Sequence, residues 1–394
     1  MSLSQIEKTK LRTWVELDRA SIKKNFETFK KIIGNKCILM AVVKSNAYGH
    51  GLVPFSKEIV KQGIKFLGVD SFDEALELRK AGIKTKIMVF GYVSGAFYDE
   101  AIRKNISITI SSFPALSALL KIKNKSGKKI KIHLKADTGL GRQGFLMHDM
   151  VKVLNFFKDK NKTKHIEIEG LYSHLAVGEA LEGREYTMLQ AEKLEKWHEE
   201  FRKLGHKPLK HISATSSTMF FPELHFDMVR VGIGMYGLWP SPETKVAMNK
   251  KYKLYPVLSW KAIITETKNL PKGTKIGYDL TEQLKHNSVL GIVPVGYWHG
   301  YPRLLSGKGV FNVNGKKVKL IGRVSMDMIA IDLTGIKAKV GDEVAIIGGD
   351  YGHYAEADIM AQDSDTINYE ITTRINPIIK RFYRINPLVK RIIK

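Results

Sequence analysis

Eight short β-rich runs, with segments of helical period between them, fill the chain from about residue 37 to 235, and this alternation leaves few folds open. The runs are Cys37–Lys44, Phe66–Asp70, Lys86–Phe90, Ile106–Ile110, Lys131–Ala136, Ile166–His174, Leu209–Ile212 and Met228–Gly232. Helices are expected between them over Val53–Gln62, Phe72–Ala81, Tyr98–Lys104, Pro114–Lys123, His148–Lys158, Arg184–Leu204 and Ser217–Phe221. Phe72–Ala81 has Ala75, Leu76 and Leu78 as its apolar side, Ser71 to cap it and Gly82 to stop it. Leu189, Leu194, Trp197, Phe201 and Leu204 recur at helical spacing in the longest helix and read as core. Strict alternation points to an α/β fold of the (β/α)8 TIM-type barrel, with an open doubly wound sheet as the structural alternative.

The pattern changes after Pro240-Ser241-Pro242. Val257–Thr267, Ser288–Val295, Gly309–Val313, Lys316–Ile321, Met328–Leu333 and Glu343–Ile347 read as strands, and Val313-Asn314-Gly315-Lys316 is a hairpin signal. A barrel over residues 12–243 and a mainly β domain over 244–394 follow, with the extended segment 1–11, continuing to Leu17, able to join either. Two domains also suit a chain of 394 residues, which is too long for one compact core.

Composition narrows the function classes. No apolar run approaches the roughly 18 residues of a membrane span, and Met1–Lys10 lacks the apolar centre of a secretory signal. The lone Cys37, inside an apolar run, cannot build a disulfide framework. A cytoplasmic enzyme is expected. The net charge of +25 comes from lysines scattered along the whole chain, so a nucleic-acid partner is not expected.

Chemistry concentrates in six strings. The first is Val42-Val43-Lys44-Ser45-Asn46-Ala47-Tyr48-Gly49-His50-Gly51. A lysine at the carboxyl end of a barrel strand points into the mouth where active sites lie, and a desolvated lysine is a ready carbonyl nucleophile. The string resembles the cofactor-binding signature of the alanine racemases, and the resemblance extends over nearly the whole chain. It implies pyridoxal 5′-phosphate as cofactor, held by Lys44, and no metal. A second string, His133-Leu134-Lys135-Ala136-Asp137-Thr138-Gly139-Leu140-Gly141-Arg142, carries by resemblance Arg142 for the cofactor ring oxygen and substrate carboxylate. Lys135 matches a lysine that many relatives carry as a carbamate. A third, Tyr172-Ser173-His174, supplies a histidine that the family bonds to the pyridine-side arginine, although Val177-Gly178-Glu179 departs from the usual Asp-Glu pair.

The fourth string, His211-Ile212-Ser213-Ala214-Thr215-Ser216 with Met228-Val229-Arg230-Val231-Gly232-Ile233-Gly234-Met235-Tyr236-Gly237, satisfies G-x-G-x-x-G without opening a helix. A phosphate site after the last barrel strands explains it better, with the N–H groups of Gly232 and Ile233, the Ser216 hydroxyl and Tyr48 as contacts. The resemblance sets Arg230 against the pyridine nitrogen. An arginine only donates, so that nitrogen stays unprotonated, and the weaker electron sink favours returning a proton to Cα over transamination.

In the fifth string, Lys275-Ile276-Gly277-Tyr278-Asp279, the resemblance makes Tyr278 the second acid/base. Racemisation needs proton exchange on both faces of one planar carbon, and Lys44 and Tyr278 on opposite faces are the simplest solution. The sixth, Gly322-Arg323-Val324-Ser325-Met326-Asp327, by resemblance supplies Met326 and Asp327 to the substrate, and Tyr297 is a further substrate-binding residue. In the family these residues arrive from the other subunit, which implies a homodimer with shared sites. Gly296-Tyr297-Trp298-His299-Gly300 departs from the usual Gly-Tyr-Ala/Ser-Asp-Gly, and Pro377 stands where some relatives carry a phosphate-contacting tyrosine. The reaction implied is interconversion of L- and D-alanine for peptidoglycan precursors, with a serine or broad-specificity racemase as the alternative. A decarboxylase of the same fold would need an acid where Arg230 stands and a cysteine where Ser325 stands, and a non-catalytic cofactor carrier would lack Tyr278. The repeat of Arg374–Arg381 as Arg384–Arg391 adds a basic, apolar tail, read as a packed extension or, secondarily, as a contact for anionic membrane.

Overall fold

The computed structural model describes residues 10–123, 127–178, 181–348 and 356–384. The chain divides into one unit of Ile22–Ala47 and Phe55–Tyr255 and another of Met1–Ser21, Tyr48–Pro54 and Pro256–Lys394. Strand β1 (Thr13–Leu17) belongs to the second unit, and helix α1 (Arg19–Ile33) follows it. This helix is additional to those read from the sequence. Its buried Ile22, Phe29 and Ile33 keep helical spacing, but Lys23, Lys24, Lys30 and Lys31 dilute the apolar signal.

The first unit is the barrel. Its strands are β2 (Ile38–Val42), β3 (Phe66–Val69), β4 (Lys86–Val89), β5 (Ile106–Ile110), β6 (Ile130–Lys135), β7 (Ile166–Tyr172), β8 (Leu209–His211) and β9 (Met228–Val231). All paired neighbours run parallel, in the order β8-β7-β6-β5-β4-β3-β2-β9. Strand β2 is a continuous apolar run, as burial on both faces requires, whereas β5 to β9 set buried polar residues such as Ser107, His133, Glu169, His211 and Arg230 among their apolar ones. Met40, Phe66, Met88, Tyr172 and Met228 pack together as one buried layer. The ring lacks a regular ladder only between β8 and β9. Asp227 N donates to Lys210 O (3.1 Å) and Arg230 N to Ser213 O (3.0 Å) across that seam. The helix after β3 begins with the expected cap: Glu74 N donates to Ser71 Oγ (3.1 Å) and Ser71 N to Glu74 Oε2 (3.4 Å).

The second unit is mainly β. Its strands are β10 (Leu258–Ile263), β11 (Glu266–Leu270), β12 (Lys275–Ile276), β13 (Glu282–Gln283), β14 (Ser288–Val293), β15 (Val310–Val313), β16 (Lys316–Ile321), β17 (Ile329–Asp332), β18 (Glu343–Ile347) and β19 (Arg381–Tyr383). A nine-stranded sheet runs β11-β14-β17-β16-β15-β18-β10-β1-β19, so the N-terminal strand joins this unit. The run expected as one strand over Val257–Thr267 divides at Ile264-Thr265. Ile264 N bonds Asp342 O (3.0 Å) while Thr265 N bonds Ile292 O (2.8 Å), which sends β10 and β11 to different neighbours. The Asn-Gly turn forms as read, with Asn314 (φ 52°) and Gly315 (φ 80°) both left-handed and Val313 opposite Lys316. No described helix is long and apolar enough to cross a membrane. Glu179 and Ile385–Lys394, which hold most of the second tail repeat, lie outside the described residues.

Candidate active site

Strand β2 ends at Val42, and Lys44 opens a turn no strand pattern announces. Ser45, Asn46, Ala47 and Tyr48 all have φ between 51° and 55°. Left-handed backbone costs an L-residue roughly 1–2 kcal/mol, so four in succession need external support. Ala47 N donates to Val43 O (2.9 Å) and Asn46 N to Glu74 Oε1 (3.2 Å), while Tyr236 Oη donates to Val42 O (2.8 Å). Lys44 Nζ lies 3.6 Å from Asp70 Oδ1, with the lysine side chain 39% exposed. Beyond the turn, Gly49 (φ 82°) packs so closely that a Cβ would lie 1.8 Å from Thr372 O. Arg381 donates Nε and an Nη2 hydrogen to Gly49 O (3.1 Å each), and the rings of Tyr48 and Tyr369 stand 5.9 Å apart. Neither Arg381 nor Tyr369 stands out in the sequence, because both act through backbone or ring packing with partners over 300 positions away.

Arg230 is 4% exposed and anchored at both of its tips. Nη1 donates to His211 Nδ1 (2.9 Å), and Nη2 to Ser173 O (2.8 Å), Ile212 O (2.9 Å) and His174 Nδ1 (3.0 Å). Burial lowers the guanidinium to about 10, which still leaves it cationic at neutral pH. His174 and His211 are held well below the ordinary histidine range, by burial first and then by the Arg230 charge, so both are neutral acceptors toward Arg230. Nε of Arg230 donates to no group among the described residues.

The Asp137–Gly141 loop is shaped by one carboxylate. Asp137 accepts N–H from Gly139, Leu140, Gly141 and Arg142 at 3.0–3.1 Å. Burial opposes its ionisation, but these four donors outweigh it and hold the carboxyl below its usual range. Arg142 is thereby presented outward, exposed. Lys135 is buried, donating Nζ to Gln143 Oε1 (3.1 Å), which in turn donates Nε2 to Ser111 Oγ (3.1 Å). Burial, then the charges of Arg142 and Arg230, lowers the Lys135 ammonium to about 8.

The glycine string after β9 forms a short 3₁₀ turn over Ile233–Tyr236, closed by Gly237 (φ 78°), and opens no α-helix. Gly232 N donates to Thr215 Oγ1 (3.2 Å). The Ser216 hydroxyl and the Ile233 N–H bond to no described protein group, leaving two further donors beside that of Arg230.

In the β unit the remaining residues share one surface. Gly296 allows the Tyr297 segment to lie against the 324–328 loop, since a Cβ there would sit 2.1 Å from Ser325 O. Tyr297 N donates to Ser325 O (3.1 Å) and Trp298 N to Met326 O (3.0 Å). Arg323 Nη1 pairs with Asp279 Oδ2 at 2.5 Å and ties the Tyr278 turn to the same loop. Tyr278 is 69% exposed, Trp298 58% and Met326 53%, and Asp327 is exposed beside them. Of the departing pair, only Trp298 faces outward. His299 is buried and accepts Gly296 N–H at Nδ1 (3.2 Å), a turn-forming role.

Residues 17–240 match the family described as alanine racemase, N-terminal domain, and residues 257–383 match alanine racemase, C-terminal domain. The alanine racemase of Leptospira interrogans is 37% identical over 377 residues, covering 94% of this chain and 95% of that protein. That of Methanococcus maripaludis is 36% identical over 372 residues, covering 94% and 98%. Among solved structures, alanine racemase from D-cycloserine-producing Streptomyces lavendulae superposes with a TM-score of 0.86 at 33% identity, covering 95% of this chain and 97% of that one. The Bacillus anthracis alanine racemase with bound L-Ala-P gives 0.88 at 33% identity, covering 95% of each.

Proposed function

The chain belongs to the alanine racemase family, and from that premise we propose that it interconverts L- and D-alanine using pyridoxal 5′-phosphate held by Lys44. The observation that supports the cofactor is the set of donors left unspent by the protein: Arg230 Nε, Ser216 Oγ and Ile233 N–H. A guanidinium anchored at both tips with its Nε–H unspent suits a pyridine nitrogen acceptor, and a hydroxyl with a backbone N–H suits a phosphate. Since Gly232 N–H already serves Thr215, Ser216 and Ile233 carry the phosphate first, with Tyr48 as a further contact. When bound, the cofactor supplies a conjugated electron sink that acidifies the Cα–H of the amino acid.

The chain's own groups do the rest. Lys44 Nζ removes or delivers the Cα proton on one face, and Tyr278 Oη does so on the other. Arg230 holds the pyridine nitrogen unprotonated, which keeps the sink shallow and directs the proton back to Cα. Arg142, presented outward by the Asp137 loop, meets the substrate carboxylate, and Lys135 supports it. A neutral fraction of Lys135, whose ammonium sits near 8, takes up carbon dioxide as a carbamate and releases a proton. Tyr278, Tyr297, Met326 and Asp327 lie on one exposed surface of the β unit. That exposure supports a homodimer in which each subunit completes the other's site.

Chiral product analysis with a panel of L-amino acids, with and without added cofactor, tests the reading. Cofactor-dependent D-alanine as the dominant product is expected, with borohydride trapping labelling Lys44. Carbon dioxide release, a dominant D-serine product, or trapping on another lysine overturns it.

A further inference from the structure

We propose that Glu169, which lies inside the barrel and touches no substrate, is a positioning residue that fixes Arg230 through His133 and His211. The proposal deepens the reading of Arg230 given above and rests on it. The four side chains form one continuous line. Glu169 Oε2 is 3.3 Å from His133 Nε2, His133 Nδ1 is 3.0 Å from His211 Nε2, and His211 Nδ1 is 2.9 Å from Arg230 Nη1. All four are under 9% exposed.

Only one placement of protons satisfies every contact. Arginine can only donate, so His211 Nδ1 must accept, and a neutral His211 then carries its proton on Nε2. That N–H needs an acceptor, so His133 Nδ1 is bare and its proton sits on Nε2. The last N–H needs an anion or lone pair, which Glu169 provides. Burial alone would raise the Glu169 carboxyl, but bonds from His133, Lys86 and Ser107 outweigh it and keep it ionised. Lys86 Nζ holds Oε1 at 2.8 Å, and Ser107 Oγ donates to Oε2 at 2.5 Å. Any other tautomer sets two N–H groups against each other at some link, in a buried line where an unmatched donor is expensive. The carboxylate therefore dictates the tautomer of both histidines and, through them, whether the Arg230 guanidinium finds an acceptor. The backbone is shaped around this line. Gly170 leaves room for the His133 ring, whose Nδ1 would lie 2.0 Å from a Cβ there, and Tyr172 stacks on His211 at 4.8 Å and 2°.

Neutron diffraction from the deuterated wild-type holoenzyme tests the proton placement directly, with deuterium expected on Nε2 of both His133 and His211. Deuterium on Nδ1 of either overturns the proposal, whether or not the protein racemises alanine; failure of racemisation alone overturns only the functional reading. Glu169→Gln reverses the line: Lys86 draws the amide oxygen, so the amide NH2 faces His133 and both tautomers flip. We expect kcat to fall about tenfold to a hundredfold with the KM for alanine little changed, as for the loss of other groups that orient a ligating side chain. Adding Lys86→Met frees the amide to turn its oxygen inward, and part of the lost kcat returns. A wild-type kcat in Glu169→Gln, or no recovery in the double variant, overturns the proposal. Should the variants fail to fold, the deuterium positions decide.

Discussion

Replacing Gly170 by alanine is a sharp test of how tightly the barrel interior is built. The new methyl carbon would sit 2.0 Å from His133 Nδ1, 2.4 Å from Cε1 and 2.9 Å from Cγ. Carbon–nitrogen contacts settle near 3.5 Å, so the ring must retreat by about 1.5 Å. The ring is held at 3.0 Å by His211 and 3.3 Å by Glu169, and a shift of that size breaks at least one of these bonds. Overpacking costs roughly 1–3 kcal/mol, and a buried polar group left unmatched adds roughly 1–3 kcal/mol. The expected loss is therefore about 2–6 kcal/mol, a large share of the 5–15 kcal/mol typical of a whole domain. Urea titration followed by tyrosine and tryptophan fluorescence reads the loss as a lower midpoint, and alanine racemisation in the folded fraction falls with it. A midpoint and turnover equal to wild type would refute the reasoning, because the ring would then have room the distances deny.

Two histidines kept neutral by the fold make stability pH-dependent. His174 and His211 stay unprotonated in the folded protein, while unfolded histidine binds a proton below about 6.5. The unfolded state then holds more protons, so stability is full above that pH and declines by up to about 1.4 kcal/mol per pH unit for each histidine as pH falls through 6 to 5; denaturation at stepped pH measures it, and His211→Gln flattens the slope. Mixing Lys44→Ala with Tyr278→Phe subunits, each nearly inactive alone, restores about a quarter of wild-type activity if sites are shared across a two-fold dimer, and none if each site lies within one chain. With ¹³C-bicarbonate, a carbamate resonance on Lys135 is expected at neutral pH and is lost in Lys135→Arg.

The barrel was legible because its strands are buried on both faces and its helices carry their own start and stop residues, as Ser71 and Gly82 show. Helix α1 was not, since lysines flank its apolar stripe, and the division of β10 from β11 depends on which distant strand each finds. At the site, Lys44, Arg142, His174 and Arg230 stood out through local strings. Glu169 did not, although it controls two histidines, because it sits in an ordinary strand and its partners lie 36 and 83 residues away. The left-handed run after Lys44 was equally silent, for Ser, Ala and Tyr carry no preference for that backbone and are forced into it by Val43 and Glu74. His299 showed in the sequence only as a departure from the family string, and its bond to Gly296 N–H, three residues back, could not be read there.

The missing ladder between β8 and β9 is bridged in part by a side chain. Arg230, rooted in β9, grips the carbonyls of Ser173 and Ile212 that follow β7 and β8. The same guanidinium thus latches the cylinder shut and, in our reading, sets the electronics of the cofactor. A carboxylate in its place would confront two carbonyl oxygens and two imidazole lone pairs with another acceptor. In our reading, a carboxylate at position 230 would gain a deeper electron sink only by giving up this latch.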